Sequence, residues 1–392
     1  MALQPAAGVR DLNPQQVELN HRLCSQLATV YRLWGYQEVA PPNIERLATL
    51  LAGGAIEPQS VIQVVADEAL GLRPEMTASV VRASCTGMPG KSRPLRLWST
   101  GTIFQSQTGA GGGLRIEETL QSGVEIVGMH NSNSDMELLL LLVACLSALP
   151  LKAKHQPQLL IGHHYIISDL LDKIPLEHRM IARDVLTSFD PLAIESLNIG
   201  KENSEWLDTI LRMRGEPIKL LEKLKNLIGP TRTISEIERI FRSLIPKADE
   251  IGLEIQFDPS FEPHLDLYNG LVFQIVCKGN VAPVVIANGG RYDGLVKQFG
   301  APPKDAAGIG FSFAIEEIRE LISADDNGSI PPGPILIAYS KKVNIEDAFE
   351  YQRKLHAQGL AAEINLNACE SRQEAKSIAE DRDAVSMEWL DT

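Results

Sequence analysis

The sequence predicts an α+β protein. A mostly antiparallel sheet flanked by helices occupies about residues 1–325, a helical insertion interrupts it at about 155–250, and a small α/β domain follows at 333–392. Three observations predict this. Two β-rich runs, Arg96 to Phe104 and Thr119 to Val127, flank a glycine-rich connection and read as a long-looped antiparallel hairpin. Strand character returns from Leu253 to Ala287 as a meander, after leucine and isoleucine repeats at helical spacing cut by Pro157, Pro175, Pro191, Pro217 and Pro230. Beyond the linker-like stretch from Asp325 to Pro334, strand and helix signals alternate to the end.

The elements follow in order. Asn13-Pro14 starts a helix whose Leu19, Leu23, Leu27, Val30 and Trp34 recur at helical spacing until Gly35. Tyr36 to Val39 reads as a short strand running into Pro41-Pro42, with Glu45 to Leu51 helical, an order that suits a dimer seam or a plain edge. After a strand at Val61 to Val65, Pro74 keeps the chain extended, so Glu75 and Thr77 point the same way before a helix begins near Ala78. Ser134 and Glu137 have capping-box spacing ahead of a helix that is apolar nearly all round through Leu149. His163, His164 and His178 in the insertion lack partner spacing and are expected at the surface rather than on a metal.

In the meander, Leu253 to Phe257 is a strand and Asn269-Gly270 predicts a type I′ hairpin, with Asp266 and Tyr268 on one face and Leu265 and Leu267 on the other. Val281 to Ala287 is the next strand. Gly289-Gly290 permits close backbone approach, or a simple turn, before Arg291 and Tyr292. Ala307 to Ile322 passes from a short strand into an amphipathic helix. In the last domain, helices are expected at Ile345 to Gln358 and Ser371 to Asp381. The run Gly109 to Gly113 has neither the Lys-Ser/Thr ending nor the strand-to-helix context of a phosphate loop.

Composition narrows the function classes. With 392 residues, 44% hydrophobic and 22% charged, the chain has the makings of a soluble protein with a large core. A net charge of −13 argues against a nucleic-acid partner, because phosphate backbones are held mainly through Lys and Arg. Cys24, Cys85, Cys145, Cys277 and Cys369 lack CxxC pairs or nearby His ligands, which points to reduced thiols, a cytosolic compartment and no zinc site. The N-terminus has no apolar signal core, and the longest apolar run, Leu138 to Leu149, is too short to cross a bilayer, so no membrane role is expected.

Alternation in the second hairpin strand places Leu120, Val124 and Ile126 on one face and Thr119, Gln121, Gly123, Glu125 and Val127 on the other. Gly123 leaves space between Gln121 and Glu125 for a small ligand. An amide and a carboxylate so placed suit a ring N–H or an ammonium group; both facing solvent is the open alternative. Glu75 and Thr77 offer a second carboxylate and a hydroxyl to the same cleft, unless Glu75 only serves the first turn of its helix through the dipole. A tyrosine delivered after the glycine pair, Tyr292, is placed to cover a ligand.

The segments LRPEMTASVVRA, RLWSTGTIFQSQ, LQSGVEIVG, LDLYNGLVF and GGRYDGLV, in this order, resemble the catalytic core of the histidyl-tRNA synthetases over about residues 8 to 323. The resemblance implies a class II synthetase-like fold, usually dimeric, with a histidine pocket at Glu75, Thr77, Gln121, Glu125, Tyr268 and Tyr292, all matching in identity. The nucleotide side departs from the family. Phe104-Gln105-Ser106-Gln107 stands where the family has Phe-Arg-x-Glu, whose Arg grips the α-phosphate. The other family arginines align with Glu117, Pro263 and Glu317. Arg319 does not replace the last, since two residues along a helix is a turn of about 200°. Charge-assisted hydrogen bonds contribute roughly 1.5 to 3 kcal/mol each, so their loss, with carboxylates in two of the places, should abolish ATP adenylation and leave amino-acid binding intact.

That combination resembles a family of synthetase paralogues, the regulatory subunits of ATP phosphoribosyltransferase. The resemblance implies a chain without chemistry of its own, with no cofactor or metal. It also implies a hetero-oligomer with the short-form catalytic subunit, activation of the first step of histidine biosynthesis, and a feedback response to L-histidine. The C-terminal domain is shorter than a full anticodon-binding domain, so no tRNA partner is expected. The competing readings are an active histidyl-tRNA synthetase or another adenylating ligase, and a scaffold with a relic pocket.

Overall fold

In the computed structural model the first helix, α1 (Pro14–Leu33), starts at a reciprocal cap. The Asn13 side chain accepts from Gln16 N at 2.9 Å, and the Gln16 side chain accepts from Asn13 N at 3.0 Å. Residues 5–52, 56–88, 90–108, 113–262, 267–323 and 333–391 are described, and the chain divides into two compact units, Met1–Ala324 and Asp325–Thr392.

After α1 come β1 (Gln37–Glu38), β2 (Ile44–Arg46) and α2 (Leu47–Leu50). The residues expected to open a helix at Glu45 are therefore strand first. Pairing of Ile44–Arg46 with β4 (Leu70–Leu72), across from β3 (Gln63–Val64), overrides local propensity, and Glu45 is buried against Arg82 at 2.7 Å. Helix α3 (Thr77–Gly87) follows the extended Pro74 segment. The long strands β5 (Leu95–Thr108) and β6 (Leu114–Val127) form the expected hairpin, and α4 (Ser132–Ala148) runs behind it. Asn131, not Ser134, caps α4; Glu137 instead binds Arg96 through two bonds of 2.6 and 2.7 Å. Leu138, Leu139, Leu141, Leu142 and Cys145 are buried around most of the circumference of α4.

The stretch from about 155, expected to be helical, begins with a strand of the main sheet, β7 (Gln158–His163). Its continuous apolar run reflects burial in the sheet interior, a pattern that periodicity does not separate from a helix. Then follow α5 (His164–Leu171), α6 (Arg179–Thr187), α7 (Pro191–Ser196), α8 (Lys201–Leu211), α9 (Pro217–Ile228) and α10 (Arg232–Glu250). Pro191 and Pro217 open helices rather than break them. The chain returns through β8 (Glu254–Phe257), β9 (Leu271–Lys278), β10 (Pro283–Arg291), α11 (Asp293–Gln298), β11 (Gly308–Ala314) and α12 (Ile315–Ser323). Neither Asn269 nor Gly270 has positive φ, so the expected type I′ turn is absent. Asn269 N donates to Arg291 O at 2.8 Å, and the Asn269 side chain accepts from Asp293 N at 3.2 Å. A long-range anchor replaces the local turn. Leu265 and Asp266, assigned above to opposite strand faces, lie outside the described residues.

Among the described residues the main sheet runs β1-β5-β6-β11-β10-β9-β7-β8, antiparallel except for the β1–β5 and β7–β8 pairs. Its core is shared with α1, α4, α10 and α12. The second unit contains β12 (Ile335–Tyr339), α13 (Ile345–Ala357), β13 (Ala362–Ile364), α14 (Arg372–Asp381) and β14 (Ser386–Leu390), its three strands parallel in the order β13-β12-β14. Ile337 and Tyr339 pack with Ala348 and Leu355 on one face, and Ala338 with Ala375 on the other. Among the described residues no helix is long and apolar enough to cross a membrane.

Candidate functional site

Cross-strand register builds the floor of a cavity from small residues. Ser99, Gly123, Ser312 and Asn288 form one row across β5, β6, β11 and β10, and Glu125, Gly310 and Gly290 form the next. Their alternating neighbours Val124, Ile126 and Phe313 turn into the core. The resulting cavity measures about 180 Å³ and is lined by Glu75, Thr77, Gln121, Glu125 and Tyr268.

Two glycines explain how large groups fit over this floor. A Cβ on Gly290 would come within 2.6 Å of the Tyr268 ring, and one on Gly310 would overlap the Glu125 carboxylate. Gly289-Gly290 is therefore a close-approach pair inside β10, not a turn. Tyr292 does not cover the cavity. Its ring is 1% exposed, and its hydroxyl donates to Glu125 from behind.

Glu75 serves both readings that its position allowed. Its carboxylate accepts from Thr77 N and from Ala78 N, the latter at 2.8 Å, so it caps α3 while lining the cavity. Burial raises the Glu75 carboxyl, against the lowering effect of those backbone donors and of Arg73. Burial also pushes Glu125 up to about 8; the Tyr292 and Thr77 hydroxyls oppose the rise, and the nearby charge of Glu75 adds to it. The Thr77 hydroxyl lies in the lining beside both carboxylates and lowers each of them against burial. A cation beside Glu125 would favour its ionised form and release its proton.

Gln105, one of the positions where the resemblance expects an arginine, also lines this cavity. Gln105 Nε2 donates to Pro74 O at 3.0 Å, which turns the amide onto its own scaffold. Glu117, Glu118, Glu316, Glu317 and Glu320 line a second cavity of about 520 Å³ on the far side of the hairpin. Arg10 also lines it, with its guanidinium 2.8 Å from Glu320. Arg319 is 0% exposed and lies behind this cavity, donating to Asn20 Oδ1 at 3.0 Å and to Glu320 Oε1 at 2.9 Å, two residues of its lining. Pro263 lies outside the described residues.

The histidyl-tRNA synthetase family model matches residues 8–318. Over 391 residues the chain is 50% identical to the ATP phosphoribosyltransferase regulatory subunit of Prochlorococcus marinus strain MIT 9313, covering 100% of both chains. This chain belongs to the ATP phosphoribosyltransferase regulatory subunit family. The subunit of the same name from Synechococcus sp. strain CC9902 is 44% identical over 391 residues, again covering 100% of both. A Bacillus halodurans structure described as an ATP phosphoribosyltransferase regulatory subunit/histidyl-tRNA synthetase shares the class II synthetase-like fold. Its TM-score is 0.83 at 23% identity, covering 100% of this chain and 99% of that one. The family is named for a regulatory rather than a catalytic subunit.

As a member of the regulatory subunit family, the chain also carries pocket residues that its sequence pattern did not single out. Ser99, Asn288 and Ser312 line the cavity. Their signal lay in register with Gly123, which no single strand reveals. His163 is a further correction: it is 9% exposed, and its Nδ1 caps α5 by accepting from Tyr165 N at 3.2 Å. Among the described residues no His, Cys, Asp and Glu cluster suits a metal ion.

Proposed function

We propose that the chain is the regulatory subunit that a short-form ATP phosphoribosyltransferase catalytic subunit requires for the first step of L-histidine biosynthesis, and that L-histidine binds in the 180 Å³ cavity as the feedback signal. The observation that carries this reading is the acidic pocket built from Glu75 and Glu125, together with Gln105, Glu117 and Glu317 at the positions where the resemblance expects phosphate-binding arginines. The two carboxylates pair with the ammonium and imidazole groups, Gln121 and Thr77 fix orientation, and Tyr268 closes one side. The chain works in the cytosol as a dimer within a hetero-oligomer and needs no tRNA.

Co-expression with the catalytic subunit tests this reading. Phosphoribosyl transfer should depend on this chain and fall as L-histidine is added. Histidine-dependent pyrophosphate exchange by the isolated chain would overturn the reading in favour of a synthetase. ATP binding in calorimetry would favour another ligase, and assembly without histidine binding would leave a scaffold with a relic pocket.

A further inference from the structure

Glu262 and Gly270 flank Tyr268 in the chain, and one cluster in the helical insertion holds both. Arg183 on α6 grips Glu262 with two bonds, Nε at 3.0 Å and Nη2 at 3.1 Å. The same Nη2 lies 2.7 Å from His164 Nδ1, and His164 Nδ1 lies 3.4 Å from Glu262. His164 opens α5, and its backbone N donates to Gly270 O at 2.9 Å. One guanidinium thus fastens one flank directly and the other through His164.

The surroundings make this grip specific to Tyr268. Its ring rests against Gly290, and Asn269 N is bonded to Arg291 O. Arg291 is itself fixed on Asp135 and Asp293, so the β10 side of the Tyr268 seat is rigid. The insertion supplies the other side. Bidentate Arg–carboxylate contacts define orientation as well as energy, so this one fixes Glu262, while the His164–Gly270 bond fixes the chain two residues after Tyr268.

We infer that Arg183 is a positioning residue for the amino-acid cavity, holding Tyr268 at its wall and coupling the helical insertion to whatever the cavity binds. The ligand, L-histidine, rests on the function proposed above; the mechanical role of Arg183 does not. Coupling of this kind is reciprocal, so ligand in the cavity should steady α5 and α6 as they steady Tyr268.

Hydrogen exchange on the intact chain, with and without L-histidine, tests the inference alongside calorimetry. Arg183→Ala should speed exchange across Tyr268 to Leu271 and weaken histidine binding about tenfold, the size of one charge-assisted contact. In the unaltered chain, histidine should slow exchange in His164 to Thr187, and Arg183→Ala should abolish that slowing. Arg183→Lys keeps the charge without the fork and should give an intermediate effect even if the alanine variant folds poorly. The charge-swapped pair Arg183→Glu with Glu262→Arg should recover part of the loss. Unchanged exchange around Tyr268 in both single variants would overturn the positioning role. If the unaltered chain binds no histidine while Arg183→Ala still loosens Tyr268, the ligand assignment fails and the positioning role stands.

Discussion

The β5–β6 hairpin has a cavity on each side, and both are lined by glutamates. In the smaller, Glu75 receives two backbone N–H groups and Glu125 receives the Tyr292 hydroxyl, with Thr77 beside them in the lining. In the larger, Glu117, Glu118 and Glu317 are exposed around an Arg10 engaged by Glu320. The difference shows what a carboxylate needs in order to be part of a site. A buried one is costly without donors, so a network around it is specific architecture; an exposed one costs little and repels an anion without any construction. One cavity holds its carboxylates inside a network of donors, and the other presents exposed carboxylates with Arg10 among them.

The largest effect should come from restoring the arginines that the family resemblance expects. The combined change Gln105→Arg, Glu117→Arg and Glu317→Arg replaces two repulsive charges and restores three donors, each contributing roughly 1.5 to 3 kcal/mol. Calorimetry should then detect ATP at submillimolar Kd, a gain of about a thousandfold or more. Glu117 and Glu317 are exposed, so the fold should tolerate the change. No gain in ATP binding would mean that the missing arginines are not what excludes the nucleotide.

Next in size is Glu125→Ala, which leaves a bound ammonium or imidazole without its buried partner. Histidine affinity should fall about a hundredfold, near 2.7 kcal/mol, within the range for truncating a buried charge pair. Glu317→Ala should leave histidine binding unchanged. Equal losses in the two variants would erase the distinction between the cavities.

These tests follow a division that was only partly legible in the sequence. The β5–β6 hairpin and the faces of Gln121, Glu125 and Val124 followed from alternation, because one side of that strand is core. Glu75 was legible because Pro74 fixes the backbone before α3. Ser99, Asn288 and Ser312 were not, since inter-strand register depends on contacts that local pattern does not encode. Asn269-Gly270 misled for a related reason: its polar groups are met by Arg291 and Asp293 rather than by a local turn. Tyr292 was placed in the right cluster but on the wrong side of Glu125, because close approach at the glycine pair says nothing about which tyrosine ring uses it.

A third test is the pH dependence, which should belong to the smaller cavity alone. With Glu125 near 8, a cationic ligand must displace its proton, so histidine affinity should rise by up to tenfold per pH unit from about 6.5 to 8 and then level off. Stability should move the other way. The folded value is raised, so the contribution of Glu125 is complete below its ordinary value near 4.3 and is lost as pH climbs through about 8. Glu125→Gln keeps the neutral form at every pH, so its Tm should match that of the unaltered chain near pH 5 and exceed it increasingly up to about pH 8, and a flat difference would contradict the buried carboxyl.

The smallest and sharpest test is Tyr292→Phe. It leaves the ring packed and removes only the hydroxyl that donates to Glu125. That bond favours the ionised carboxylate, so its loss should move the midpoint of the affinity profile to higher pH and weaken histidine binding several-fold at pH 7.5, about 1 kcal/mol. Titrating histidine across pH separates the two possible roles of this tyrosine. A shifted midpoint means that Tyr292 acts through the charge of Glu125. Weaker binding with an unshifted midpoint would mean that it acts through shape, and the contrast between the two cavities would then rest on Glu75, Thr77 and Glu125 without it.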